Sequence, residues 1–147
     1  MNELLTNKLT TKYPLLFPDA IEFQHGDGWY SILDALCMQI QSHCNKLNSN
    51  IDIEKKEGNC QVRVIQVKEK LGTLCFYING GDDTIYALVE FAELLSKTTC
   101  EDCGRLGDLQ VTSRMKTLCD SCITANRLKS KGWNRIYSSH TDQIPII

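Results

Sequence analysis

Two Cys-x-x-Cys pairs constrain the fold of this chain more than any other feature. Cys100 and Cys103 form the first pair, Cys119 and Cys122 form the second, and fifteen residues separate the pairs. Each pair presents two thiolates to one ion, and the intervening residues are sufficient for a hairpin that brings the pairs together. The spacing therefore predicts one Zn²⁺ ion, bound by four thiolates in a zinc ribbon.

The predicted zinc site is structural rather than catalytic, because four thiolates leave no open position for water or substrate. Residues 111–118 can supply one or two short strands of the ribbon. Gly104 fits a turn in which backbone amides point at sulfur. Zinc contributes roughly 10–16 kcal/mol of apparent binding energy to small lobes of this kind. Since few other apolar residues lie there, the lobe is not expected to fold without metal.

Composition and the N-terminal sequence predict where the protein works. Of 147 residues, 42% are hydrophobic and 23% are charged, which is ordinary for a globular domain. No stretch is apolar enough for a membrane span, and the N-terminus lacks the features of a signal peptide. These observations predict a cytoplasmic protein without a membrane partner. In a reducing compartment, its eight cysteines are expected to be thiols or metal ligands.

The first hundred residues alternate helical and extended patterns. Residues 3–13 predict a short helix that Pro14 stops, and residues 14–28 read as a loop. Ser31 and Asp34 then offer a capping box for a long helix. Its apolar stripe predicts a buried face on which the two cysteines are inert thiols: Leu33, Leu36, Cys37, Ile40, Cys44 and Leu47.

Two β-rich segments follow, residues 61–67 and 73–78. Residues 68–72 join them and include Gly72, so an antiparallel hairpin is expected. An upstream strand at residues 51–54 is a further candidate. Asp82 and Asp83 then cap a second long helix, which ends near Lys97.

Together these patterns predict an α+β fold with two main helices packed on a small antiparallel sheet and a C-terminal zinc ribbon. The predicted organisation is an α+β core at residues 1–98, a zinc-ribbon element at residues 99–125 and a basic helix or tail at residues 126–147.

The loop before the first long helix is the second distinctive stretch. His25 and Asp27 can form an acid/base pair in a cleft, which would suit a small-molecule-binding protein or a hydrolase. The alternative is structural, with a glycine turn, an aspartate near the helix start and Trp29 packed on the core. Trp29 and Tyr30 can also line a binding surface. No phosphate-binding loop, nucleophile elbow or metalloprotease helix is present, so the chain is not expected to be an enzyme.

Charge divides unevenly along the chain. Residues 1–98 hold nine Lys and Arg against thirteen Asp and Glu, a balance of −4, whereas residues 99–147 hold seven against five, a balance of +2. A basic cluster interleaved with an aromatic residue can contact nucleic acid or an acidic protein, or can be a solvated surface. It comprises Arg114, Lys116, Arg127, Lys129, Lys131, Trp133 and Arg135.

Three ordered blocks of sequence carry a resemblance. They are Gly26-Asp27-Gly28-Trp29-Tyr30, then Val67-Lys68-Glu69-Lys70 with Gly72-Thr73-Leu74 and Phe76-Tyr77, and then the two cysteine pairs within Thr99-Cys100-Glu101 and Thr117-Leu118-Cys119. Together they resemble a family of small uncharacterised proteins of bacteria, phages and prophages, over roughly residues 22–122. The resemblance implies the four zinc ligands and a bacterial host cell, but no activity.

The resemblance favours a zinc-stabilised protein-binding module of phage or mobile-element type, with a host protein as its partner. One form of this function is inhibition of a host defence or regulatory protein. Its expected surface is the exposed hairpin face, the loop with Trp29 and Tyr30, or the basic cluster. The alternatives are a nucleic-acid-binding accessory protein that uses the basic cluster and a small-molecule site at His25 and Asp27. The sequence predicts no oligomeric state.

Overall fold

The computed structural model describes residues 1–49, 61–111 and 114–130, with the side chains of residues 129 and 130 excepted. Its elements confirm the predicted α+β class. In chain order they are α1 (Glu3–Lys12), β1 (Phe23–Gln24), α2 (Tyr30–Ser49), β2 (Arg63–Lys70), β3 (Thr73–Asn79), α3 (Asp83–Ser96), β4 (Asp108–Val111), β5 (Met115–Leu118) and α4 (Asp120–Ser130).

The antiparallel hairpin of β2 and β3 is present, but its connection is tighter than predicted. Lys70 pairs with Thr73, so the turn consists of Leu71 and Gly72 rather than residues 68–72. Both turn residues have positive φ angles, 54° and 78°. Two consecutive positive φ angles are typical of the two-residue turns that match the twist of a hairpin.

The sheet is mixed rather than purely antiparallel, because β1 joins β2 in parallel with Phe23 opposite Val67. The segment predicted as a loop, residues 14–28, therefore supplies a short third strand. Two residues are too few for a periodic signal. The strand predicted at residues 51–54 lies outside the described residues.

The helix starts follow the predictions in one case and depart from them in another. Asp82 is the N-cap of α3, since its Oδ1 accepts a hydrogen bond of 3.0 Å from the Ile85 N–H. Ser31 is not an N-cap, because α2 begins at Tyr30, directly after a 3-10 turn at Asp27–Trp29. Asp34, the other half of the predicted capping box, instead accepts hydrogen bonds from Lys12 Nζ.

The core lies where the buried faces of α2 and α3 meet the sheet. Of the two cysteines predicted as buried thiols on α2, Cys37 is a free thiol, and burial raises its pKa. Cys44 is buried too, but it is disulfide-bonded, so the prediction of a free thiol there was wrong. The buried core residues include Trp29, Leu33, Ile40, Val67, Leu74 and Ile85.

Helix α3 also covers the outer edge of β3. Ser96 Oγ accepts a hydrogen bond of 2.9 Å from the Leu74 N–H, and Glu93 Oε1 accepts one of 2.9 Å from the Phe76 N–H. Paired in this way, the edge strand does not present those amides to another chain. Among the described helices, none combines the length and apolar composition that crossing a bilayer requires.

Candidate metal centre

The four cysteines of the two Cys-x-x-Cys pairs converge at one point, although they are distributed over separate elements. Cys100 and Cys103 lie in the turn that follows α3, Cys119 directly follows β5, and Cys122 lies in the first turn of α4. Their four Sγ atoms all lie within 4.8 Å of one another. The β4–β5 hairpin makes this convergence possible, since it returns the chain to its starting point with Asp108 opposite Leu118.

The spacing of the sulfurs fits a tetrahedral metal site. Four thiolates bound at about 2.3 Å from one ion are separated from each other by about 3.8 Å. The Sγ atoms of Cys103 and Cys119 are 3.6 Å apart, and all four cysteines are free thiols. The set can therefore hold one metal ion with protein ligands at all four positions.

The surrounding groups act on the sulfurs of this centre in both directions: the pKa of Cys103 is lowered, whereas burial raises the pKa values of Cys100 and Cys122. Arg105 Nε donates to Cys103 Sγ across 3.5 Å, and this hydrogen bond is the main reason that the pKa of Cys103 falls to about 6. Cys100 is fully buried, and burial raises its pKa, although amides of the backbone at Asp102, Cys103 and Cys119 act in the opposite direction. Gly104 has a φ of +77°, as expected for the turn that aims amides at sulfur.

The metal centre is bound to the core through the glycine turn, residues 26–28. Glu101 lies between the first two cysteines and accepts two hydrogen bonds from this turn. Its backbone carbonyl accepts one of 2.7 Å from the Gly28 N–H, and its side-chain Oε1 accepts one of 2.9 Å from the Gly26 N–H. The Glu101 side chain is buried, and its Oε1 also lies 3.2 Å from Lys116 Nζ. One residue thus links the cysteine turn, the glycine turn and β5.

The two glycines of this turn are required by close approach rather than by backbone conformation. A Cβ atom at Gly28 would lie 2.6 Å from Cys103 N and closer still to Cys100 O and Gly104 N. At Gly26 it would lie 3.0 Å from Glu101 C. These distances are shorter than van der Waals contact, so side chains at these positions would separate the glycine turn from the metal centre.

Trp29 completes this junction from inside the core. The indole is fully buried, and its Nε1–H donates a hydrogen bond of 2.8 Å to Thr99 O, one residue before the first cysteine. A fully buried indole offers no surface to a partner, so the expectation that Trp29 contributes to partner binding is not supported. Tyr30 is half-buried, and Lys8 Nζ lies 5.3 Å from the centroid of its ring.

A second junction joins the ribbon to the turn between β2 and β3. Thr117 is buried on β5, and its Oγ1–H donates a hydrogen bond of 2.7 Å to Gly72 O. Leu109 of β4 packs close to Gly72, where a Cβ atom would overlap the Leu109 Cδ1. The β2–β3 turn and the glycine turn therefore both contact the ribbon that carries the four cysteines.

His25 and Asp27, the predicted acid/base pair, make separate contacts. The Nδ1–H of His25 donates a hydrogen bond of 2.7 Å to Gly26 O, and its ring stacks on Trp29. Burial lowers the pKa of His25 to about 4. The Asp27 carboxylate accepts hydrogen bonds of 2.6 and 2.7 Å from the backbone and side chain of Asn2. The structure brings the two side chains into no hydrogen bond with each other, and both take part in local packing.

The basic cluster is divided by the fold. Lys116 is half-buried and lies within ion-pair distance of Glu101 and Asp102, at 3.2 and 3.8 Å. Arg114 and Arg127 are exposed, on the ribbon and on α4. Lys129 lies at the end of α4, without a described side chain. Lys131, Trp133 and Arg135 lie outside the described residues.

Comparison with protein-family models, curated proteins and solved structures found no match to this chain.

Three residues that the sequence analysis did not single out as site residues hold the metal centre in place: Gly28, Glu101 and Thr117. All three fall within the sequence blocks that carry the resemblance. Their roles depend on contacts between segments more than forty residues apart. Residue spacing along the chain contains no signal for such contacts. The Cys-x-x-Cys spacing, in contrast, is a local pattern from which the metal ligands could be predicted.

Proposed function

We propose that the protein is a zinc-stabilised protein-binding module in which the metal fixes the β4–β5 hairpin on the α+β core. Zinc is the ion proposed, because a tetrahedral set of four thiolates is typical of zinc or iron–sulfur sites and a closed set is typical of structural zinc. When bound, the ion supplies a cross-link between the turn after α3 and the start of α4. Glu101 and Thr117 then attach this cross-linked ribbon to the core through hydrogen bonds.

The single observation that carries the binding proposal is an exposed apolar surface at the end of this ribbon. We call it the ribbon tip and define it by Leu109, Val111 and Met115. Val111 and Met115 are cross-strand partners, with 70% and 37% of their surface exposed, and Leu109 shares their face of the hairpin. Leu71, also exposed, lies in the turn that contacts the base of the same hairpin. Clustered exposed apolar residues are typical of protein-contact surfaces.

The proposed partner is a host protein in the bacterial cytoplasm, and inhibition of a defence or regulatory protein is the finer form of the proposal. Both rest on the resemblance to small bacterial and phage proteins. An apolar contact suits a protein partner better than it suits a phosphate backbone, because phosphate affinity depends on clustered free cations. On β5, the Lys116 ammonium lies within ion-pair distance of Glu101 and Asp102.

The test is an affinity capture from bacterial lysate, run with and without nuclease, in which the wild type is compared with Val111→Asp and with Ile65→Asp. Ile65 is the matched control, since it is 58% exposed and lies on β2 rather than on the ribbon. The proposal predicts a stoichiometric protein that the wild type and Ile65→Asp retain and that Val111→Asp loses. A protein that all three capture equally, or capture that nuclease abolishes, would refute the assignment of the ribbon tip.

A further inference from the structure

Helix α3 carries a second apolar surface, which the proposed function does not use. Its buried face holds Ile85, Val89, Ala92 and Ser96. On another face, Phe91, Leu94 and Leu95 are 59%, 57% and 41% exposed. Their spacing of three and four residues places them side by side along one stripe, which we call the α3 stripe.

The α3 stripe differs from scattered surface leucines, which are normal in soluble proteins. Three large apolar side chains lie within five consecutive positions of one helix, and no described element covers them. Contiguous exposed apolar surface of this kind marks an interaction site more often than isolated residues do.

The charges beside the stripe indicate what it binds. Glu90 and Lys97 are both exposed and are seven residues apart, which is nearly two full helical turns. They therefore lie on the same flank of the α3 stripe, about 10 Å apart along the helix axis. Among the described residues, neither side chain has an ion-pair partner.

This arrangement is complementary to itself. When two copies of one helix pack antiparallel about a two-fold axis, the same flank of each helix faces its copy, and residues at opposite ends come together. With Leu94 near the axis, Glu90 of one copy lies opposite Lys97 of the other, and the reverse pair forms as well. The two apolar stripes meet between these two ion pairs, as in other two-fold helix pairs with charged flanks.

We propose that the α3 stripe is a self-association surface, through which two copies of this chain pack antiparallel, with Phe91, Leu94 and Leu95 buried and Glu90 paired with Lys97 across the axis. The partner is thus a second copy of the chain. The surface is separate from the ribbon tip, so each copy in the dimer presents one ribbon tip.

The test uses sedimentation velocity on the full chain over a concentration series at low ionic strength, with zinc present. The wild type is expected to dimerise, and Leu94→Asp is expected to be monomeric. Glu90→Lys and Lys97→Glu each replace two attractive pairs by two repulsive ones. Since exposed ion pairs are individually weak and each reversal affects two of them, each variant is expected to dimerise about tenfold more weakly than the wild type.

The decisive sample is an equimolar mixture of Glu90→Lys and Lys97→Glu, in which one copy is basic and the other acidic at both positions. The proposal predicts that the mixture recovers wild-type dimerisation as a heterodimer. Glu3→Lys, an exposed change of the same charge on α1, is the control and should leave the dimer unchanged. Circular dichroism establishes that each variant is folded. A monomeric wild type would overturn the proposal. So would a Leu94→Asp variant that dimerises as well as the wild type, or a mixture that dimerises no more tightly than either variant alone.

Discussion

Substitution of Gly28 by alanine tests the junction between the metal centre and the core. The added methyl group would lie 2.6 Å from Cys103 N and closer still to Cys100 O, so the cysteine turn and the glycine turn must separate. Two hydrogen bonds cross this junction at nearby atoms, from Gly28 N to Glu101 O at 2.7 Å and from Trp29 Nε1 to Thr99 O at 2.8 Å. Both are expected to lengthen or break.

The magnitude follows from these contacts. Overpacking a well-packed site costs typically about 1–3 kcal/mol, and each hydrogen bond contributes about 1 kcal/mol net. Gly28→Ala is therefore expected to lower the free energy of unfolding by about 3–5 kcal/mol. It should also speed the release of metal, because the cysteine turn no longer packs against the glycine turn of the core.

The assay is urea unfolding followed by circular dichroism at a fixed concentration of free zinc, together with the rate of zinc transfer to a chromogenic chelator. Ser31→Ala is the control, since Ser31 is exposed in the first turn of α2 and adds no atoms to the junction. It should change stability by less than about 0.5 kcal/mol. A Gly28→Ala variant as stable and as slow to lose zinc as Ser31→Ala would refute the close approach described above.

Two further predictions concern buried polar groups. Thr117→Val removes the 2.7 Å hydrogen bond to Gly72 O and leaves that carbonyl without its donor. The free energy of unfolding in urea is therefore expected to fall by about 1–3 kcal/mol. An unchanged midpoint of unfolding would show that the hydrogen bond contributes nothing to stability. His25 has a folded-state pKa of about 4 against an ordinary value of 6.5, so the unfolded state binds the proton first and stability falls as pH drops from 6.5 to 4. Between pH 7 and pH 4 the wild type should therefore lose about 3 kcal/mol more stability than His25→Gln, and equal losses would contradict a buried neutral imidazole.

The features that could be predicted from the sequence are those with a local signal. The two Cys-x-x-Cys pairs, the apolar stripe of α2 and the aspartate cap of α3 all depend on residues within a few turns of each other. Each of these local patterns is present in the structure, including the convergence of the four cysteines. The burial predicted for the α2 stripe was wrong only at its last member, because Leu47 near the end of the helix is 38% exposed rather than buried. The Ser31 cap is an instructive exception, because a 3-10 turn beginning at Asp27 starts the helical path earlier than the local pattern indicates.

The features that could not be predicted depend on contacts between distant segments. The basic cluster was identified from charges counted along the chain, and that count contains no sign that the fold places Glu101 and Asp102 beside Lys116. The sequence predicts a glycine turn at Gly26 and Gly28, but it does not show that both positions must lack a side chain because a segment more than seventy residues away packs against them. Strand β1 has only two residues, so its parallel pairing with β2 is defined by the partner strand.

The central claim is that Cys100, Cys103, Cys119 and Cys122 bind one zinc ion. Its most direct test is metal analysis of the purified protein by inductively coupled plasma mass spectrometry, beside single Cys→Ser variants of these four positions and Cys75→Ser, a free thiol outside the cluster. We predict one zinc per chain in the wild type and in Cys75→Ser, and loss of zinc in each of the four cluster variants. A wild type that holds no zinc, or iron in its place, would contradict the claim, as would zinc content that the cluster variants leave unchanged.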